Sequence, residues 1–189
     1  MKDEKTVLAA IFGLVSTLAF SQEKGTHEIK FGVGFETSNE FLNTVEDIIS
    51  GVSYANTTVT PAFNLTYKIA IKDKWFFYAD AAYQVVSEDV IENGLITGDV
   101  SQRYFTVGFG SDYHYISKDW FQMYSGASIA YTSQNTDFTT SSNIEDKSDG
   151  YFNFHVNALG FRFGKALAGF VELGVGYRGV ANVGVSYQF

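Results

Sequence analysis

The sequence predicts an all-β protein, an eight-stranded antiparallel up-and-down β-barrel, from its periodicity and its composition. Eight segments alternate between apolar and polar residues with a period of two, as strands with one apolar face do. Tyr and Phe, which favour strands, number 12 and 18 among 189 residues, and Pro, which interrupts strands, occurs once. The clearest alternation spans Ala181–Phe189, and the strand that it predicts must close the sheet onto the first one.

The N-terminus predicts a cleaved signal peptide over residues 1–21, followed by one domain over residues 22–189. Val7–Phe20 is an apolar run of signal-peptide length, too short to span a bilayer comfortably as a helix. Ala19 and Ser21 are the small residues that a signal peptidase requires. A buried N-terminal helix is the alternative that the same run allows. The chain has no Cys, so no disulfide stabilises the domain.

In chain order, the first half of the domain predicts four strands, over Thr26–Glu36, Thr58–Ala70, Trp75–Val86 and Gln102–Tyr115. Ser38–Asn56 is acidic and does not alternate. Its apolar residues have helical spacing, so a short amphipathic helix and a loop with hydrophobic anchors both remain open. Pro61 lies near the start of the second strand, where the loss of one ladder hydrogen bond is tolerable. Ser87–Ser101 is predicted to be a long acidic loop.

The second half predicts four more strands, over Trp120–Thr132, Tyr151–Phe163, Phe170–Arg178 and Ala181–Phe189. Ser133–Gly150 is rich in Ser, Thr, Asn and Asp and is predicted to be a loop. The phase is ambiguous at Ala158–Phe163, because Arg162 falls there on the apolar face. A β-bulge, or snorkelling of Arg162 at a membrane edge, would each explain this. Tyr177 is expected on the apolar face of the seventh strand.

The connections between the predicted strands sort by length, which is typical of a transmembrane barrel. Short turns follow the second, fourth and sixth strands on one side, and the long loops lie on the other. The aromatic residues of an expected interfacial girdle collect at the short-turn ends: Tyr67, Trp75, Tyr113, Tyr115 and Trp120. A soluble lipocalin-like barrel has the opposite polarity. Many small residues on the polar face favour a narrow lumen, and therefore the membrane alternative.

The polar face carries a set of charged residues that a narrow barrel would enclose as a lumen polar network. Its members are Glu28, Lys30, Lys68, Asp80, Asp112, Glu172 and Arg178. Charges in so confined a space must pair or keep water. Lys30 and Lys68 are expected within reach of Glu28 and Glu172. The network predicts a hydrogen-bonded plug, and an ion or proton pathway is the alternative.

Three histidines, His27, His114 and His155, are the candidates for catalysis, and none lies in a predicted long loop. His155 with loop serines would imitate the catalytic groups of a lipid-modifying enzyme, but no nucleophile motif accompanies it. No loop has the spacing of an EF-hand calcium site. The sequence therefore predicts no enzyme, with no catalytic residues, no metal site and no cofactor.

The C-terminal stretch, together with the strand pattern, resembles the small eight-stranded outer-membrane β-barrels of the outer membrane protein A and X type. In that family the barrel-assembly machinery reads a terminal Phe and the apolar residues at alternate positions before it. The matching positions in this chain are Val183, Val185, Tyr187 and Phe189. The resemblance implies a porin-like transmembrane barrel in the outer membrane of a Gram-negative cell, with the assembly machinery as a partner during biogenesis.

Charge restricts the partners of such a barrel. A net charge of −8 argues against nucleic acid, which requires a basic stripe. The acidic loops are expected either to be simply solvated, or to bind lipopolysaccharide through divalent cations, or to dock an extracellular partner. The leading expectation is a non-enzymatic barrel with a plugged lumen that contributes to envelope integrity or presents its loops for adhesion. A narrow channel for ions or small solutes is the alternative, and a lipid-modifying enzyme is the third.

Overall fold

The computed structural model describes residues 24–40, 53–92, 95–140 and 147–189. The predicted signal peptide lies outside these residues. Nine strands occur in the described part: β1 His27–Phe35, β2 Ser53–Val59, β3 Ala62–Lys72, β4 Trp75–Glu92, β5 Leu95–Ser117, β6 Phe121–Thr140, β7 Lys147–Gly164, β8 Leu167–Gly176 and β9 Ala181–Gln188. Over the described ranges, no helix has both the length and the apolar character needed to cross a bilayer.

The strands form one closed antiparallel barrel of eight strands, as predicted. Each strand pairs with its neighbours, β1 with β9 and β4 with β5 among them, so the sheet has no gap. β2 and β3 both pair with β4 and form one barrel strand that is interrupted at Thr60 and Pro61. The hydroxyl of Thr60 accepts a hydrogen bond from the Val85 amide at 2.9 Å there, which keeps the interruption tied to β4.

The barrel is polar inside and apolar outside. On β1, Glu28 and Lys30 are 1% and 2% exposed, whereas Ile29 and Phe31 are 43% and 49% exposed. Because successive side chains of a strand point to opposite faces, the period-two pattern of the sequence becomes these two surfaces. In the first five predicted strands, the side chains expected on the polar face point inward and those expected on the apolar face point outward. The charged residues therefore lie in the lumen.

One side of the barrel wall rises far above the other. β4 and β5 stay paired up to Glu92 and Leu95, and β6 and β7 up to Thr136 and Lys147. Loops were predicted over residues 87–101 and 133–150. This prediction was wrong, because the described residues of both stretches are strand. The prediction failed because regular alternation between apolar and polar residues is lost in these stretches, although the hydrogen-bonded ladder continues. We call this upper part of β2, β4, β5, β6 and β7 the extended sheet, and the opposite end the short-turn end.

Two phase shifts move side chains into the lumen against expectation. Gly176 has a φ of +135°, which a residue with a side chain rarely adopts, and the chain beyond it turns both Tyr177 and Arg178 inward. The outward position expected for Tyr177 was therefore wrong. Register shifts near Asn157 on β7 turn Arg162 inward, where it is 1% exposed. The bulge explanation of Arg162 is the correct one, and snorkelling is not.

Candidate functional site in the barrel lumen

Arg162 lies at the short-turn end of the lumen. Its Nε donates to Glu28 Oε1 at 3.1 Å and to Ser186 Oγ at 2.8 Å. Its Nη2 donates to the carbonyl oxygens of Lys165 and Ala166 at 2.7 and 2.9 Å. A guanidinium offers five N–H donors in a fixed plane, so one side chain here both neutralises a buried carboxylate and holds the turn between β7 and β8.

The middle of the lumen is crossed by an ion pair between Lys30 and Glu172. Lys30 Nζ also donates to the hydroxyl of Tyr124 at 2.9 Å, and that hydroxyl donates to Glu172 at 2.9 Å. Asn182 donates to the second carboxylate oxygen of Glu172 at 2.8 Å. The ammonium group lies 4.0 Å from the centre of the Phe170 ring, a cation–π contact. Every side of this ion pair is occupied by protein.

A second ion pair, between Lys68 and Asp112, lies beside the first. Lys68 Nζ is 4.6 Å from the centre of the Tyr124 ring, whose hydroxyl belongs to the Lys30 site. The His114 ring stacks against the Tyr124 ring with a centroid distance of 4.7 Å. The Phe76 ring packs against His114 with a centroid distance of 4.4 Å. Tyr124 therefore connects the two ion pairs and fills the lumen between them.

Above these pairs, Asp80 lies between Tyr177 and Arg178. The Tyr177 hydroxyl lies 2.7 and 2.8 Å from the two oxygens of Asp80 and 2.9 Å from the Ser128 hydroxyl. Arg178 Nε lies 3.6 Å from Asp80. A Cβ atom at Gly108 would lie 2.5 Å from oxygens of both Asp80 and Tyr177. Only glycine leaves room for this arrangement, in keeping with the small residues of the polar face.

Ion pairs join eight charged side chains in the lumen. Four cations and four carboxylates are buried and paired, and we call them the charged network: Lys30, Lys68, Arg162 and Arg178 with Glu28, Asp80, Asp112 and Glu172. Within this network the positive and negative charges balance, and Glu88 and Lys118 are buried outside it. A paired interior avoids the large cost of an isolated buried charge.

Several polar atoms of the lumen have no hydrogen-bond partner among the described residues. They are both ring nitrogens of His114 and of His155, Thr66 Oγ1, Ser117 Oγ, Asp112 Oδ1 and Arg178 Nε. Buried polar atoms are strongly stabilised by hydrogen bonds, and bound water supplies these where protein does not. In the described part of the chain, no group of three or more His, Asp or Glu side chains is placed to hold a metal ion.

His155, the candidate for catalysis, lies inside the barrel and is 1% exposed. It is the direct cross-strand partner of Ser128, yet the Ser128 hydroxyl is hydrogen-bonded to Tyr177. The His155 ring packs edge-on against Tyr177 at 5.8 Å. A serine nucleophile requires a histidine base within hydrogen-bonding reach. The pair lies beneath the surface and lacks that contact.

All seven residues of the predicted lumen polar network lie in the interior. The expected pairing of Lys30 with Glu172 is found, but Lys68 pairs with Asp112 and Glu28 pairs with Arg162. Sequence reasoning missed Arg162 and Tyr177 because each follows a break in alternation. The break at Arg162 was visible as a charge on an apolar face, whereas the glycine before Tyr177 gave no comparable sign.

The predicted outward-facing sets lie where they were expected, although their roles stay predictions. The five girdle residues are exposed, and Trp75 contacts Tyr113 at the short-turn end with a centroid distance of 5.0 Å. Sequence reasoning missed further aromatic residues at the opposite end of the outer surface, where Tyr131 and Phe152 meet edge to face at 5.9 Å. The residues of the proposed assembly signal, Val183, Val185, Tyr187 and Phe189, all face outward.

No protein-family model matches the chain, and no curated protein matches it. Among solved structures, the N-terminal β-barrel domain of Pseudomonas aeruginosa OprF matches with a TM-score of 0.49 and 11% identity, over 89% of this chain and 100% of that one. Ail, the attachment invasion locus protein of Yersinia pestis, matches at 13% identity over 88% of this chain and 99% of its own. Its TM-scores are 0.49 in complex with the heparin analogue sucrose octasulfate and 0.45 without it.

Proposed function

We propose that the chain is a non-enzymatic integral barrel of the Gram-negative outer membrane, with a closed lumen. The main observation that supports this proposal is the exposed apolar band on the outer surface of the barrel. On β4, the outward residues from Trp75 to Val85 are apolar, and Ser87 and Asp89 follow. Ten strand steps of about 3.3 Å, tilted by about 40°, span roughly 25 Å, the height of the apolar band of such barrels. Soluble proteins rarely expose so large an apolar surface.

The extended sheet carries the outward-facing function in this proposal. Its outer surface is polar and acidic, with Asp89, Asp99 and Asp137 among its exposed or half-buried residues. A barrel that does not conduct still holds such a sheet at a fixed height above the membrane. We propose that the protein contributes to envelope integrity through the barrel or offers the acidic sheet to an extracellular partner, including lipopolysaccharide through divalent cations.

Two partners act on the barrel itself in this proposal. Outer-membrane lipid surrounds the apolar band, and the barrel-assembly machinery recognises the C-terminal strand during biogenesis. Enzymatic activity is not part of the proposal, because among the described residues neither ring nitrogen of His155 has a hydrogen-bond partner, a loop serine included.

Cell fractionation tests the proposal. The protein is expected in the outer-membrane fraction, and its folded form is expected to migrate faster on gels before boiling than after. Disruption of the apolar band gives a matched pair of variants. Ile129→Asp, at a residue that is 75% exposed, should lower membrane recovery, whereas Thr139→Asp, on the same face of β6 in the extended sheet, should not. Recovery of the unaltered chain in the soluble periplasmic fraction without a heat shift would overturn the proposal.

A narrow channel for ions or small solutes is the second candidate. This candidate is favoured by the buried polar atoms that have no hydrogen-bond partner among the described residues. They run along the lumen from Ser117 at the short-turn end past His114 to His155. Water bound to these atoms is a partial path through the charged network. Steady single-channel currents in planar bilayers would favour this candidate over a closed lumen.

A further inference from the structure

A short segment after β1 folds back over the lumen at the end that carries the extended sheet. Thr37 and Asn39 in this segment are 3% and 2% exposed, although they follow a strand that ends at the barrel rim. Buried Thr and Asn side chains need hydrogen-bond partners, and these two find them in the barrel wall. We call Thr37–Glu40 the latch.

The latch is bonded to one wall of the barrel through Gln84 on β4. The hydroxyl of Thr37 donates to Gln84 Oε1 at 2.7 Å, and Asn39 Nδ2 donates to the same oxygen at 3.2 Å. The Gln84 amide in turn donates to Glu40 Oε1 at 2.8 Å. Glu40 also accepts from the Thr37 backbone amide at 3.1 Å, which closes the latch into a compact turn.

The latch is bonded to a distant wall through β7. The carbonyl oxygen of the Asn39 side chain accepts from the Tyr151 hydroxyl at 2.9 Å and from Asn153 Nδ2 at 3.3 Å. Ser38 donates to Asn153 Oδ1 at 3.2 Å. Since β5 and β6 lie between β4 and β7 in the barrel, these bonds run across the lumen rather than along its wall.

Beneath the latch, two further layers separate it from the charged network. Thr132 is hydrogen-bonded to Asn153 at 3.2 Å and to Thr106 at 2.8 Å. Below it, Ala82, Ala130 and Tyr177 form a small buried apolar cluster. The latch and the charged network are thus two different closures in series. The latch is held mainly by hydrogen bonds between uncharged side chains, with Glu40 as its one carboxylate, and the other closure is ionic.

We infer that the latch is a gate over the lumen, which controls access of water and small solutes from the side of the extended sheet. Hydrogen bonds between uncharged groups contribute about 1 kcal/mol each, so breaking one bond of the latch costs less than breaking one buried ion pair of the closure below it. The inference deepens the proposed closed lumen by adding a regulated entrance. The geometry of the latch itself does not depend on where the barrel resides in the cell.

Thiol labelling tests the gate, because the chain has no Cys of its own. Ala130→Cys places a reporter thiol just below the latch, and Ala70→Cys places one in the lumen at the short-turn end, both at buried positions. Each reporter is combined with Asn39→Ala and Gln84→Ala, which remove the bonds of the latch to Gln84 and of Asn39 to β7 and leave the bond from Ser38 to Asn153. The folded barrel in detergent micelles, verified by its heat shift, is treated with a charged, water-soluble thiol reagent.

The latch variant is expected to label Ala130→Cys at least about tenfold faster, because it loses five hydrogen bonds of the latch, each contributing about 1 kcal/mol, and to leave Ala70→Cys unchanged. Thr60→Val is the matched control, because it removes hydrogen bonds to Val85 within the wall and none across the lumen. An unchanged rate at Ala130→Cys, equal acceleration of both reporters, or equal acceleration by Thr60→Val would overturn the gate. The amount of protein recovered in the outer-membrane fraction is measured separately and tests the proposed location.

Discussion

Tyr177 reaches across the full width of the barrel to Asp80. It follows β8, which lies four strands from β4 in the ring of eight, so the two residues come from opposite walls. The Tyr177 hydroxyl lies 2.7 and 2.8 Å from the two oxygens of the Asp80 carboxylate. This one contact ties the last turn of the chain to its first half and fills the lumen above the ion pairs.

Tyr177→Phe is expected to destabilise the folded barrel by about 1–3 kcal/mol, because the buried Asp80 carboxylate and the Ser128 hydroxyl each lose a partner. The measurement is the free energy of unfolding in urea of the barrel in detergent micelles. Tyr131→Phe is the matched control, since Tyr131 is 52% exposed on the outer surface, and it should change the stability little. Equal stability of the Tyr177→Phe and unaltered barrels would contradict a structural role for this contact.

The sequence predicted faces wherever strands alternate without interruption, and it failed where a single residue changes the phase. Lys30 and Glu172 were predicted to lie in the lumen within reach of each other, because each belongs to a strand with regular alternation. Tyr177 was assigned to the wrong face because the positive φ of Gly176 cannot be read from a period-two pattern. Arg162 was recognised as an exception, and the register shifts that explain it required the pairing of β7 with both neighbours.

Arg162→Gln is expected to cost about 3–5 kcal/mol of stability, because it leaves Glu28 charged, buried and unpaired. Adding Glu28→Gln removes that charge, so the double variant should be more stable than Arg162→Gln alone. Arg103→Gln is the control: Arg103 pairs with Asp137 on the outside, the two side chains being 49% and 38% exposed, and such pairs contribute at most about 1 kcal/mol. If the two single variants lose equal stability in urea, Glu28 is not a buried anion that depends on Arg162.

The height of the wall was the largest error of the sequence reasoning, and its cause is physical. Within the apolar band, one face of each strand must be apolar, so the pattern is visible. In the extended sheet no face has to be apolar and regular alternation is lost, so Ser101 or Asn135 in a paired strand looks like a loop residue. The latch was missed for a related reason, since polar residues after a strand look the same whether they are solvated or buried in the barrel mouth.

Deleting Phe189 is expected to lower the amount of folded barrel in the outer membrane of cells. The C-terminal strand is the proposed assembly signal, and Phe189 also exchanges backbone hydrogen bonds with His27 at 2.9 and 3.0 Å and stacks on its ring at 5.6 Å. His27→Ala removes the stacking and keeps the signal, so it should assemble normally in cells. Both variants should refold in detergent. If the Phe189 deletion fails to refold there, its effect in cells comes from lost closure of the barrel and not from lost recognition by the assembly machinery.

The two closures in series make a prediction about conductance. The unaltered barrel is expected to show no steady pore-sized current in planar bilayers, because side chains just fill an eight-stranded lumen. Lys30→Ala with Glu172→Ala opens the ionic closure, and Asn39→Ala with Gln84→Ala opens the latch. Either pair alone should leave the current low, since the other closure remains, whereas all four substitutions together should give a clear rise in single-channel current. Current from the Lys30 and Glu172 variant alone would show that the latch does not close the lumen. Large, steady currents from the unaltered barrel would overturn the closed lumen itself and favour the channel.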